Sequence, residues 1–181
     1  MNKVLILLFP VLALVGVSAE PERSDSSSSR AANQSHARTP QPAFILPDLA
    51  GASINLEDEQ RAHKAVLIAF WATWCAGCVQ EIPQLEELDL KYRDRGLRVL
   101  TVNAGDERSL VESFAAKRSM ELPILLDDHV MVTKRFEHRT DGSIVLPNIV
   151  LRCFGGQYER TETHLGAGFL KDIEKCLGIA K

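Results

Sequence analysis

The run "AVLIAFWA", residues 65–72, limits the fold more than any other feature of this chain. It is almost continuously apolar and of strand length. A strand with one face in water would alternate, so this one suits the middle of a sheet, buried on both faces. Two cysteines follow at once in "TWCAGC". Behind them Val79, Ile82, Leu85, Leu88 and Tyr92 recur at helical spacing, and Gly96 is a stop signal. "LRVLTV", residues 97–102, then reads as the next buried strand. The cysteine pair therefore lies where a buried strand hands over to a helix in a βαβ unit.

The rest of the chain extends that pattern. "AFILPDLAGASINL" reads as two short strands around a turn at Gly51. "ERSLVESFAAKRS" places Leu110, Val111, Phe114 and Ala115 on one helical face, with Ser109 and Glu112 spaced for a capping box. "LPILLD" is a third strand and "HVMVTKRF" a short helix. "IVLPNIVLRCF" is strand-like but broken by Pro147, and Gly155-Gly156 turns into "QYERTETHLG" as a hairpin. "GFLKDIEKCLG" closes the chain as an amphipathic helix on Phe169, Leu170, Ile173, Cys176 and Leu177. Alternating strands and helices with a final hairpin and helix give an α/β fold: a mixed central sheet flanked by helices.

The N-terminus is of another kind. Lys3, the apolar run "VLILLFPVLALVGV" and the small residues Val17, Ser18 and Ala19 read as a secretory signal peptide over residues 1–19, cut after Ala19. The competing reading is an uncut membrane anchor facing the periplasm, but the run is short for a span of about 20 residues and Pro10 interrupts it. Residues 20–42 are rich in Ser, Pro and charge and have too few apolar groups to offset ordering entropy, so they read as a flexible linker. The folded domain is expected over residues 43–181. Its 45% hydrophobic content supports a packed core. A net charge of −3 gives no general attraction for nucleic acid. Export puts the four cysteines in an oxidising compartment, a periplasmic or secreted setting.

Cys75 is expected at the helix N-terminus, where free N–H groups and the positive end of the dipole favour an anion. Only the thiolate attacks a disulfide, so Cys75 is the candidate nucleophile. Cys78, one turn on and more buried, is the candidate resolving thiol. A zinc site would need two further ligands at matching spacing, and no histidine lies near Cys75 in the sequence. A purely structural disulfide across so short a loop would stabilise little. Glu81, one turn beyond Cys78, could hold a proton in a partly apolar setting and pass it to that thiol; the alternative is a solvated surface glutamate. Pro83 falls inside the helical pattern. Pro147 reads as an edge or bulge position, or as a cis bond that would leave the Leu146 backbone free to pair with an extended substrate. Cys153 and Cys176 are either small core residues or a second, structural disulfide.

"FWATWC" with Cys78, Glu81 and Pro83 resembles the thioredoxin superfamily, and within it the exported TlpA/ResA-like thiol-disulfide oxidoreductases. "PAFILPDLAGASINLED" resembles that branch's N-terminal β-hairpin, and "ELPILLDDHVMVTKRFEHRTDGSIVLP" its central βα insert and approach to a cis-proline loop. The likeness runs from about Ala43 to Leu177. It implies a thioredoxin-like fold and a catalytic Cys75–Cys78 redox disulfide assisted by Glu81. It also implies substrate docking at Trp74, Leu146 and Pro147. The implied reaction is a reduction of protein disulfides, in cytochrome c maturation or at metal-site cysteines, fed by a membrane electron donor. No cofactor and no metal are implied. Three departures stand out: Ala76-Gly77 where many relatives have proline before the second cysteine, Asn148 in place of a frequent threonine, and "RCFGGQ", which introduces Cys153. The rival reading is a thioredoxin-fold module that delivers metal with these thiols as ligands. A peroxidase would need an isolated cysteine one turn earlier, and none is present. The histidines His36, His63, His129, His138 and His164 have no ligand spacing and read as surface or packing residues.

Overall fold

The computed structural model describes residues 42–137, 141–156 and 159–179. The expected signal peptide over 1–19, nearly all of the expected linker over 20–42, His36 and His138 lie outside the described residues.

The central strand is β3 (Ala65–Trp71), and all seven of its residues are buried. It pairs in parallel with β4 (Leu97–Ala104) on one side and antiparallel with β6 (Asn148–Cys153) on the other. Beyond β4 lies β5 (Ile124–Asp127), parallel to it; beyond β6 lies β7 (Glu159–Glu162), antiparallel. The five-stranded sheet has the order β5-β4-β3-β6-β7 and is mixed, as its residue pattern implied. A separate hairpin pairs β1 (Ile45–Pro47) with β2 (Ser53–Asn55). Its Gly51 turn has φ +87°, a conformation that glycine adopts without steric cost.

Side chains of β3 alternate between two covered faces. Ala65, Leu67 and Ala69 meet Leu85, Leu88 and Tyr92 of α2 (Ala76–Tyr92) and Phe169, Ile173 and Leu177 of α5 (Ala167–Leu177). Val66, Ile68 and Phe70 meet the hairpin, Leu56 of α1 (Leu56–Ala62), and Val132 and Phe136 of α4 (Met131–Glu137). The Phe136 ring lies 5.1 Å from that of Phe70 and 5.9 Å from that of Phe44, so it ties the hairpin and α4 to the central strand. Helix α3 (Arg108–Arg118) contributes Val111 beside Trp71, whose indole meets the Phe114 ring at a 43° tilt with centroids 5.1 Å apart.

Several local expectations change. The capping box at Ser109 and Glu112 does not form. Helix α3 starts earlier, with Glu107 as an N-cap that makes no side-chain cap bond, and Glu112 instead approaches Arg108 at 3.9 Å. Leu110 is 49% exposed rather than core-facing. The strand after Pro147 begins only at Asn148, so Val145 and Leu146 precede the sheet. Pro83 lies inside α2, as its place in the helical pattern implied. Helix α1 carries no periodic signal, since Leu56 is its one buried residue. Its start is local: the Asn55 side chain accepts the N–H of Glu57 at 2.9 Å, and three acidic residues fill the first turn.

Candidate functional site

Register decides where the site lies. β3, β4 and β5 run parallel, so their C-terminal ends lie together, and antiparallel β6 begins at that same end because Asn148 pairs with Phe70. Sites in open α/β sheets form at this carboxyl edge. The chain leaves β3 at Trp71, turns through Ala72–Cys75, and enters α2. The turn is closed by the Cys75 N–H donating to Ala72 O at 3.1 Å.

Cys75 is the N-cap of α2. Its sulfur accepts the backbone N–H of Cys78 at 3.2 Å, and its carbonyl accepts the N–H of Val79 at 3.1 Å. One of the helix's free N–H groups is thus aimed at this sulfur, where a thiolate would also sit at the positive end of the dipole. Cys75 and Cys78 are joined as a disulfide, with Cα atoms 5.3 Å apart. Both are buried in this oxidised form, at 7% and 3% exposure, with Cys75 the more accessible. Trp74 beside it is 66% exposed, a large apolar surface at the mouth of the site.

Pro147 borders the pair from the β6 side, after a cis Leu146–Pro147 bond. The proline ring faces the first turn of α2 at Gly77, with room for a methyl group between them: a Cβ at Gly77 would lie 3.6 Å from Pro147 Cδ. Among the described residues, the backbone N–H and C=O of Leu146 take no partner.

Cys78, Glu81 and Pro147 line one narrow cavity of about 10 Å³, room for a single water molecule. Glu81 is half-buried, and its Oε1 accepts the N–H of Leu165 at 3.0 Å, from the loop between β7 and α5. Burial raises the Glu81 pKa above the ordinary 4.5; the Leu165 hydrogen bond and the nearby His164 oppose this without cancelling it. The sequence did not mark Leu165 or His164 as neighbours of Glu81, because the Leu165 bond spans 84 residues and neither residue carries a local pattern. Asp106 is a further addition. Its carboxylate accepts the N–H of Thr73 at 2.7 Å.

Cys153 and Cys176 are also joined, with Cα atoms 5.3 Å apart. They are half-buried and link β6 to α5. Cys153 pairs with Ala65, at the opposite end of β3 from Trp71, roughly 20 Å away at the rise of a β-strand. This second pair takes no part in the site. His63 packs locally, with its Nδ1 within 2.9 Å of Glu59 O. No helix among the described residues is long and apolar enough to cross a membrane.

A thioredoxin-like α/β sheet with a Cys-X-X-Cys disulfide at the start of the helix after its central strand defines a class of proteins that exchange electrons with disulfides. Comparison with known proteins agrees. Residues 37–153 match the AhpC/TSA family. The chain is 38% identical over 140 residues to the thiol-disulfide oxidoreductase ResA of Geobacillus kaustophilus, covering 77% of this chain and 75% of that one. It is 32% identical over 152 residues to ResA of Halalkalibacterium halodurans, covering 83% and 81%. Its fold superimposes on a putative thiol:disulfide interchange protein DsbE from Chlorobium tepidum with TM-score 0.63 at 22% identity, over 77% of this chain and 94% of that one. The chain belongs to the AhpC/TSA family of the thioredoxin superfamily, and it is a thiol-disulfide oxidoreductase that acts on protein disulfides.

The raised Glu81 pKa carries a sign for stability. The folded state holds this proton to higher pH than the unfolded chain does, so the group's contribution falls as pH climbs from about 4.5 through the folded pKa. Glu81→Gln keeps an acceptor for Leu165 and removes the charge. Its unfolding free energy should gain on wild type as pH rises through that window and show no difference below it. Urea titrations at a series of pH values check this, and parallel curves would refute it.

Proposed function

We propose that this protein is an exported reductant of protein disulfides, with Cys75 as the attacking thiol. The observation that carries the reading is the Cys75 sulfur at the α2 N-cap, receiving the Cys78 N–H at 3.2 Å. In the reduced enzyme the Cys75 thiolate attacks one sulfur of a substrate disulfide. The substrate S–S bond breaks, its other sulfur leaves as a thiolate and takes up a proton, and a mixed disulfide forms. Cys78 loses its proton and attacks the Cys75 sulfur. The second substrate sulfur departs as a thiolate, and two electrons have passed to the substrate. Glu81 accepts the Cys78 proton through the small cavity they share, aided by a pKa that burial raises.

Trp74 and the Leu146–Pro147 segment form the docking surface. Support comes from the exposed indole and from the unpartnered Leu146 backbone, which suits strand-like pairing with an extended substrate. The TlpA/ResA-like likeness and the N-terminal signal pattern support export. The same likeness supports a thiol reductase in the membrane as electron donor, and cytochrome c maturation or metal-site cysteines as the setting. Cys153–Cys176 serves as a structural staple between β6 and α5, well removed from the active pair.

Cys75→Ser should abolish disulfide reductase activity. Cys78→Ser, expressed with its native N-terminus, should accumulate as a mixed disulfide with its substrate, outside the cytosol, on a chain beginning at Glu20. Mass spectrometry of the adduct reads both. Full activity in Cys75→Ser would remove the nucleophile assignment, and an adduct starting at Met1 would remove the cleavage. Electron direction is read from the reduction potential of the Cys75–Cys78 pair. A value near thioredoxin's, about −270 mV, supports a reductant, and one near about −120 mV would make the protein an oxidant. Cys176→Ser should cost about 3 kcal/mol of unfolding free energy, the scale for a loop of this size, with reductase activity kept. No change in the urea midpoint would show that the staple is dispensable.

A further inference from the structure

The turn that delivers Cys75 to the helix is short of internal support. Its Trp74 side chain is 66% exposed, so burial does little to hold the backbone there. Cys75 itself bonds to Ala72, Cys78 and Val79, but among the described residues Thr73 and Trp74, the two residues before it, have one hydrogen-bonded tie to the rest of the fold. The Thr73 N–H donates to Asp106 Oδ2 at 2.7 Å, across 33 residues. That oxygen is itself held. It accepts Asn103 Nδ2 at 2.9 Å, while the Asp106 N–H donates to Asn103 Oδ1 at 3.1 Å. Asn103 is 1% exposed and sits opposite Trp71 in the β3–β4 register. The chain of contacts therefore runs from a fully buried strand residue, through a carboxylate, to the amide two residues before Cys75. Hydrogen bonds to an ionised acceptor are the short, strong kind, and 2.7 Å is in their range.

We infer that Asp106, clamped by Asn103, is the positioning residue for the active-site turn, setting where the Cys75 sulfur stands relative to Cys78 and to an incoming disulfide. This deepens the reading of Cys75 as the attacking thiol and rests on it. The physical effect is on effective concentration. A turn pinned at Thr73 holds Cys75 within bonding reach of Cys78, which favours the disulfide form and makes the pair a stronger reductant. Released at Thr73, the turn samples orientations in which the Cys75 sulfur faces neither Cys78 nor substrate.

Asp106→Ala and Asp106→Asn separate this role from a merely structural one. Alanine removes the acceptor. It should lower the effective concentration of the two thiols about tenfold, which raises the reduction potential by about 30 mV for a two-electron couple. It should also slow attack on a substrate disulfide by about tenfold and speed hydrogen exchange at the Thr73 amide. Asparagine still offers an oxygen to Thr73 and Asn103, so it should recover most of the potential, the rate and the Thr73 protection. Should the alanine chain fail to fold, Asp106→Ser, too short to reach Thr73, carries the same expectation. An alanine or serine variant with wild-type potential and rate overturns the proposal. So does an asparagine variant as impaired as alanine, because the acceptor would then not be what matters. Alkylation of the reduced wild type, read by mass spectrometry, identifies which thiol reacts first. If that is Cys78, the nucleophile reading falls while Asp106 is still judged by the potential, which does not depend on which sulfur attacks.

Discussion

Everything in this molecule is hung on β3. Its backbone is hydrogen-bonded to β4 on one side and β6 on the other, and its seven side chains are buried alternately in two cores. A strand so enclosed cannot shift register without moving both layers of helices. The point at which the chain emerges from it is correspondingly well defined. The two neighbours of β3 bring the parts of the site to that point. Asn103 comes alongside Trp71 from β4, and Asn148 alongside Phe70 from β6. The first leads to Asp106 and the second follows Pro147, so the cysteine turn is flanked by a hydrogen-bonded clamp and a proline ring.

The two disulfides put one residue type to opposite uses. Cys75 and Cys78 are three residues apart on one helix end, where a backbone N–H is directed at sulfur and an exposed tryptophan marks the entrance. Cys153 and Cys176 join a strand to a helix at the far end of the sheet. The first arrangement suits exchange, since a helix N-terminus favours an anion at the sulfur it caps. The second closes a longer loop and restrains the unfolded chain more. Glu81 belongs with the first pair. Loss of water around its carboxyl outweighs the Leu165 hydrogen bond and the nearby His164, so its pKa is raised beside the buried Cys78.

Much of this was readable along the chain because the signals are local. An unbroken apolar run means a strand covered on both faces. Ile82, Leu85, Leu88 and Tyr92, spaced at three or four residues, mean a helix lying on it, and all four are buried. Where the signal was weak the reading slipped. Helix α1 offers a single buried leucine, so periodicity passed over it even though Asn55 and the acidic turn after it mark a helix start. Helix α3 begins at Arg108 because tertiary contacts of Val111 and Phe114 set its phase, against the local appeal of Ser109 as a cap.

The order of residues by itself determined the sheet's central strand, the helix that follows it, and the placing of two thiols at their junction, since each depends on neighbours within a few positions. It also placed Glu81 one turn from Cys78. Only the folded chain decided that Leu165 would donate to Glu81, that Asp106 would accept from Thr73, and that the Pro147 ring would face Gly77. Those contacts join segments separated by tens of residues. They arise from strand register and layer packing, which no short stretch of sequence encodes.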